Sequence, residues 1–168
     1  QKYVLDDLNI VIEKNQSIGI IGSSGAGKTT FIDIILGLLE PTSGNVKINN
    51  INFMDVKSKW YSSVGYIPQD IFLLDDTIGN NISFNLTDVK PNLDLLSRAI
   101  KLSRVDKFIN DLPDGLETNV GNKGIKLSGG QLQRVGIARA LYNKPSVIIM
   151  DEGTNSLDNE TEREVLEA

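Results

Sequence analysis

Gly22-Ser23-Ser24-Gly25-Ala26-Gly27-Lys28-Thr29 constrains this chain more than any other eight residues. It has the form G-x-x-x-x-G-K-S/T, a glycine-rich turn that joins a strand to a helix and cradles phosphate. Its flanks agree. Ile18, Ile20 and Ile21 predict a buried strand before it, and Phe31, Ile34, Ile35 and Leu38 follow helical spacing after it. Glycines let the backbone wrap an anion without a Cβ clash, and the free N–H groups and dipole of a helix start favour negative charge. Lys28 would reach the β- and γ-phosphates of a nucleotide, and the Thr29 hydroxyl would ligate Mg²⁺. The plainer reading, a glycine-rich turn that happens to carry a lysine, leaves the strand before it and the helix after it without a purpose.

The 168 residues suit one domain, and 40% hydrophobic with 23% charged residues is an ordinary soluble balance. A net charge of −5 argues against a surface that coats nucleic acid. No run of about 18 apolar residues is present to span a membrane. Gln1-Lys2-Tyr3 shows neither a signal peptide nor a starting Met, so a piece of a longer protein is expected. There is no cysteine, which excludes disulfides and thiolate metal sites and fits a cytosolic setting. There is no histidine either, so no imidazole base or ligand comes from these residues.

Along the chain, Leu8, Ile10 and Ile12 predict a half-buried strand, and Pro41 predicts a stop for the loop's helix near Leu39. Ser43-Gly44-Asn45 reads as a turn, with Val46, Ile48, Ile51 and Phe53 as a strand pair after it. Val64-Gly65-Tyr66-Ile67 is a short strand closed by Pro68. Helical, polar segments follow at 78–84, 93–102 and 105–112. Val147-Ile148-Ile149-Met150 reads as a central parallel strand, and residues 158–168 as an amphipathic helix with Asn159 and Glu162 spaced as a capping box. No internal repeat is visible.

Two further motifs carry chemistry. The apolar strand 147–150 delivers Asp151 and Glu152 at its C-terminal end, where ligands of open α/β sheets sit. Beside a phosphate loop, Asp151 would hold Mg²⁺ and Glu152 would polarise the attacking water. Leu127-Ser128-Gly129-Gly130-Gln131 is the other. Ser128 can cap a helix running through Leu132, Val135, Ala138 and Tyr142, and two glycines at its start expose N–H groups. That end serves either as a phosphate-binding end for a second subunit's nucleotide or as a structural cap; physics alone favours neither.

These residues resemble a family. Leu127 to Gln131 match the signature motif of ATP-binding-cassette (ABC) ATPases letter for letter, in order with the phosphate loop and the Asp151-Glu152 strand end. Gln69 is similar to the Q-loop glutamine, which joins core to helical subdomain and contacts Mg²⁺, and Ser156-Leu157-Asp158 to the D-loop. Thr77-Ile78-Gly79-Asn80-Asn81-Ile82, and Leu112 to Thr118 followed by Val120-Gly121 and Gly124, resemble elements of exporter-type members, the second leading into the X-loop. The resemblance spans essentially the whole chain. It implies an α/β P-loop NTPase (RecA-like) core at about 1–70 and 131–168, an inserted helical subdomain at about 71–130, and antiparallel β elements near the N-terminus. It also implies ATP and Mg²⁺ as ligands, with phosphate contacts from Gly22 to Thr29, Thr30 and, across a dimer, Ser128, Gly129, Gly130 and Gln131. The metal ligands would be Thr29, Gln69 and Asp151, and the catalytic groups Glu152, Lys28 and Gln69. The implied partners are a second nucleotide-binding domain, identical or not, and a transmembrane domain met through the Q-loop and X-loop, at the cytoplasmic face of the membrane, with no nucleic acid.

The chain departs from the family's pattern in places. Asn122 stands where a Glu is common in the X-loop, which puts a salt bridge to the membrane domain in doubt. Gly153 stands where Ala is common, and Asn155-Ser156 precedes Leu157 where Ser-Ala is usual. Tyr3 reads as a strand or surface residue, with the adenine-stacking aromatic expected before residue 1 and the switch histidine after residue 168. A soluble DNA- or ribosome-associated ABC ATPase is the rival reading. The 100 residues between Lys28 and Ser128 lack sustained heptads, and the X-loop stretch speaks for export. A degenerate, non-hydrolysing module is the other rival, against which Lys28, Gln69, Asp151 and Glu152 are all present.

Overall fold

The computed structural model describes residues 3–84, 90–124, 126–151 and 157–167. It divides into two compact units, Gln1–Tyr61 and Ser62–Ala168.

In the first unit an irregular stretch leads to helix α1 (Lys28–Leu36), a hairpin of β1 (Lys47–Ile48) and β2 (Ile51–Asn52), and helix α2 (Phe53–Ser63). The hairpin pairs Lys47 with Asn52 and Ile48 with Ile51. Asn49 and Asn50 make its turn, both with positive φ (50° and 65°), as a tight two-residue turn requires. The strand pair expected from Val46 onward is therefore present, but Phe53 leaves it. Its N–H donates to the Val46 carbonyl (3.0 Å), which closes the hairpin, and α2 starts at that residue. No periodic signal announced α2. Trp60 Nε1 donates to the Ile35 carbonyl (2.9 Å), and the Phe53 ring meets Tyr61 edge-on at 6.5 Å.

α1 ends earlier than Pro41 suggested. Gly37 takes φ 71°, its N–H donates to Ile34 O, and the Leu38 N–H reaches back to Asp33 O (2.8 Å). This left-handed glycine closure satisfies the last carbonyls three residues before the proline could act. A Cβ at Gly37 would collide with the Phe53 ring, so the same glycine also lets α2 approach.

Two expected strands are absent. Leu8, Ile10 and Ile12 and then Ile18, Ile20 and Ile21 form no ladder, and all six are exposed, Ile21 at 98%. Strands exist by bonding to a neighbour. Among the described residues the ladders are β1–β2 and β3–β4, and neither takes in residues 3–27. Apolar alternation marked a face that wants cover, without supplying the partner that would make it a strand.

In the second unit β3 (Val64–Ile67) pairs in parallel with a later strand. Between them lie α3 (Ile78–Ser83), α4 (Leu93–Leu102), α5 (Asp106–Ile109) and α6 (Gly129–Tyr142); then come β4 (Val147–Met150) and α7 (Asn159–Glu167). β3 and β4 run in register from Val64↔Val147 to Ile67↔Met150. The parallel pairing is as expected, but β4 is not buried on both faces: Ile148 is exposed. α4 has its expected bounds. α5 is shorter than expected because the chain tightens after Ile109: the N–H groups of Asp111 and Leu112 donate only three residues back, to Phe108 and Ile109. Pro113 then prevents continuation.

α6 organises this unit. Val135, Ala138 and Tyr142 enter a cluster with Ile78 and Ile82 of α3 and Leu96 and Ala99 of α4. Ile137 faces a second cluster with Ile67 of β3 and Val165 of α7. Burying each Val, Ile or Leu of these clusters stabilises by about 1.5–3 kcal/mol. Gly65 lets β3 lie against α6: a Cβ there would sit 2.5 Å from the Ala140 carbonyl oxygen. α7 is capped by Asp158, not by Asn159 as the spacing suggested. Asp158 Oδ1 accepts from the Thr161 N–H (2.9 Å), and Oδ2 accepts from the Thr161 hydroxyl (2.8 Å). Thr161 occupies the third helical position, where a cap's acceptor is needed, so Asp158 reaches it and Asn159 does not.

Candidate nucleotide-binding site

The glycine-rich loop enters α1 through Gly27, at φ 92° and with no side-chain cap on the helix start. Gly25 also takes a positive φ, 78°, and the Ala26 N–H donates to Ser23 O (3.1 Å). Only glycine holds such angles readily, which is why the loop needs glycine there. The Lys28 ammonium lies back over the loop, donating to the carbonyls of Gly22 (2.9 Å) and Ser23 (3.1 Å). Thr29 is exposed on the first turn, and Thr30 is half-buried beside it. The strand expected before this loop is not present; an irregular segment leads into it.

The other nominated residues belong to the second unit. Asp151 follows β4, and its N–H donates to Ile67 O (2.9 Å) at the end of β3. Gln69 follows β3 two residues after Ile67, whose register partner is Met150. The parallel pairing thus brings Gln69 and Asp151 to one strand-end edge, the edge where ligands of such sheets bind. Glu152 lies outside the described residues, as do residues 153–156. At the start of α6 the Gln131 N–H donates to Ser128 Oγ (3.3 Å), and Gln131 Oε1 accepts from the Ser128 N–H (2.9 Å). This is a complete capping box, with Gly129 exposed and Gly130 half-buried in its first turn.

The two segments singled out as exporter-like meet. The Ile78 N–H donates to Thr118 O (3.1 Å) and the Val120 N–H to Asp76 O (3.0 Å), with Thr77 bridging Asn119. Thr77 caps α3 by accepting from the Asn80 N–H (3.1 Å). Tyr3 is exposed. One group that sequence reasoning missed is Arg139, whose guanidinium is bonded at three points to the α3 end of the unit.

The donor chemistry fits a nucleotide and its cation. An uncapped helix start and a lysine within the loop suit polyphosphate. Within the second unit Gln69 and Asp151 offer oxygen donors at one edge, and Mg²⁺ takes one or two protein ligands together with substrate phosphates. No cluster of three or more Asp, Glu, His or Cys gathers among the described residues.

Comparison with known proteins places this arrangement. The ABC transporter family pattern matches residues 5–155. Over 168 residues the chain is 43% identical to ABC transporter B family member 29, chloroplastic, of Arabidopsis thaliana, covering 98% of this chain and 26% of that protein. It is 40% identical to the glutathione/L-cysteine transport system ATP-binding/permease protein CydC of Bacillus subtilis, covering 97% of this chain and 29% of that one. A bacterial Atm1-family ABC exporter solved with ATP bound superposes with a TM-score of 0.78 at 36% identity, over 86% of this chain and 25% of the other. The chain belongs to the ABC transporter family of ATP-binding, ATP-hydrolysing P-loop domains. It spans about a quarter of the length of the curated relatives it matches.

Proposed function

We propose that this chain is the nucleotide-binding module of a membrane exporter, and that two such modules close head to tail around ATP. The observation that carries the reading is likeness at 36% identity to an exporter solved with ATP bound. No helix among the described residues is long and apolar enough to cross a membrane, so the translocation path would be built from other segments or chains. In this reading the Gly22–Thr30 loop wraps the phosphates, and Lys28 exchanges its Gly22 and Ser23 carbonyls for phosphate oxygens. Thr29, Gln69 and Asp151 would hold Mg²⁺, which when bound neutralises charge on the β- and γ-phosphates. Glu152 orients and deprotonates the attacking water. Ser128, Gly129 and Gly130 present their helix start to the partner's γ-phosphate. Gln69 and the Leu112–Gly124 stretch face the transmembrane domain at the cytoplasmic side. Positioning and charge neutralisation, with little covalent chemistry, carry the reaction.

The head-to-tail arrangement has a direct test. In the full-length protein, Ser128→Arg subunits mixed with Lys28→Ala subunits leave one composite site doubly broken and the other intact. A mixture of Ser128→Arg subunits alone leaves neither intact. Turnover recovered only in the first mixture supports the reading; equal residual turnover in both overturns it.

A further inference from the structure

The segment leaving Gln69 has no regular structure, yet α6 grips it at successive residues. Ile71 lies against Gly136, where a Cβ would sit 2.5 Å from Ile71 Cδ1. One turn on, Arg139 Nη1 donates to the Phe72 carbonyl (2.7 Å). Its Nε donates to Asn81 O (2.8 Å) and its Nη2 to Asn81 Oδ1 (2.9 Å). Asn81 is fully buried and completes the hold: Oδ1 accepts from the Leu74 N–H (2.8 Å), and Nδ2 donates to the carbonyls of Leu74 and Thr77 (3.0 Å each). The Arg139 guanidinium also lies 5.0 Å over the ring of Phe84, a bulky residue at φ 48°. Such an angle is costly away from glycine and persists only where surroundings enforce it.

A planar fork with donors in three directions is what this junction uses, and lysine cannot supply it. Gly136 and Arg139 share one face of α6, the helix that Ser128 starts. We propose that Arg139 is a positioning residue that locks the segment leaving Gln69 onto the signature helix, so that Gln69 and Ser128 are carried as one body during turnover. The inference rests on the roles assigned to those two residues above. The role assigned to Arg139 is an indirect one, exerted through the groups of Phe72 and Asn81 that it holds.

The test uses the full-length protein. Arg139→Met is expected to lower kcat about tenfold or more while the Kd for a fluorescent ATP analogue stays within about twofold, with Arg139→Lys falling between. Spin labels on Asp75→Cys and Asn143→Cys, both exposed sites in a stretch free of native cysteine, report the junction. Their distance distribution should broaden in Arg139→Met. Parental kcat, an unchanged distribution, or a loss of turnover matched by lost nucleotide binding would each overturn the proposal. Should Arg139→Met not fold, Arg139→Lys decides by the same kcat-against-Kd split. Lys28→Ala serves as the control: if it too turns over normally, the reading of the whole site fails, and not this inference alone.

Discussion

The two helix starts nominated for phosphate are built in opposite ways. α1 begins at a left-handed glycine with no side-chain cap, and its lysine bonds to the loop's own carbonyls. α6 begins at a serine whose hydroxyl and whose partner Gln131 satisfy each other's backbone N–H groups. A bare start keeps its donors for a ligand, whereas a capped start is stable by itself. The loop of α1 therefore forgoes local stabilisation and keeps donors that suit an anion. The start of α6 is finished without a ligand, and whatever it offers to a partner's nucleotide comes from its two glycines and the outer side of Ser128.

The contrast breaks most cleanly at Lys28. Lys28→Ala removes the cation nearest the transferring phosphate and should abolish turnover and tight ATP binding in the full-length protein, measured by ATPase rate and nucleotide affinity. Parental values for both would refute the assignment of the loop. The next effect in size is expected at Gly27. A side chain there must adopt φ 92°, at a cost of about 1–2 kcal/mol for an L-residue. Its Cβ would also sit 3.0 Å from Val4 Cγ1 and 3.1 Å from Leu5 Cδ2. Without ATP the Gly27→Ala loop relieves that strain by leaving this shape, and binding must restore it, so ATP affinity should fall about tenfold, the equivalent of 1.4 kcal/mol, in a titration of the full-length protein.

That helices start at both places as expected, and that the strands expected before α1 do not form, has a physical basis. A phosphate loop is a local device: glycines at fixed offsets and a lysine act within eight residues, so their spacing alone places them. The capping box at Ser128 and Gln131 is local for the same reason, and so is the bound of α4, where Asn92 Oδ1 accepts from the N–H groups of Asp94 and Leu95. Ile18, Ile20 and Ile21 needed a neighbour that periodicity cannot name. α2 was missed because its polar surface carries little period: Phe53 is its one buried residue. Arg139 was missed because its partners lie 58 and 67 residues away, and an arginine on a helix otherwise reads as a solvated charge. Gln69 was nominated by resemblance and Asp151 from the apolar strand it follows, and the β3–β4 register puts the two at one edge.

Ser128 sharpens the comparison at lower cost. Ser128→Ala removes the acceptor for the Gln131 N–H and should destabilise α6 by about 1 kcal/mol, read as a lowered urea midpoint. Ser128→Asn keeps a capping oxygen and should recover most of that loss. If turnover falls in both variants while stability falls only in the first, Ser128 does more than cap. If the Asn variant restores turnover and stability together, the α6 start is structural and the contrast with α1 is complete.

The smallest effect concerns another capped start, at α7. Asp158 is exposed, and its carboxyl is held below the ordinary carboxylate range, first by the Thr161 backbone N–H, then by the Thr161 hydroxyl, with Arg134 contributing least. A folded-state pKa lowered in this way means stabilisation that is complete above the unfolded value of about 3.9 and lost as pH falls through the folded value. Protonated Asp158 would still accept weakly, but Arg134 Nη2, at 3.5 Å, would lose its counter-charge. Asp158→Asn keeps an oxygen for Thr161 and carries no proton-linked charge. The variant should therefore be less stable than the parent near neutral pH and lose less stability than the parent as pH is lowered from about 6 to about 2.5, so that the two converge, because one carboxylate fewer is tied to folding. Urea midpoints of both proteins across that range decide it: parallel curves would show that the cap at α7 is indifferent to charge and works, like Ser128 at α6, by geometry alone.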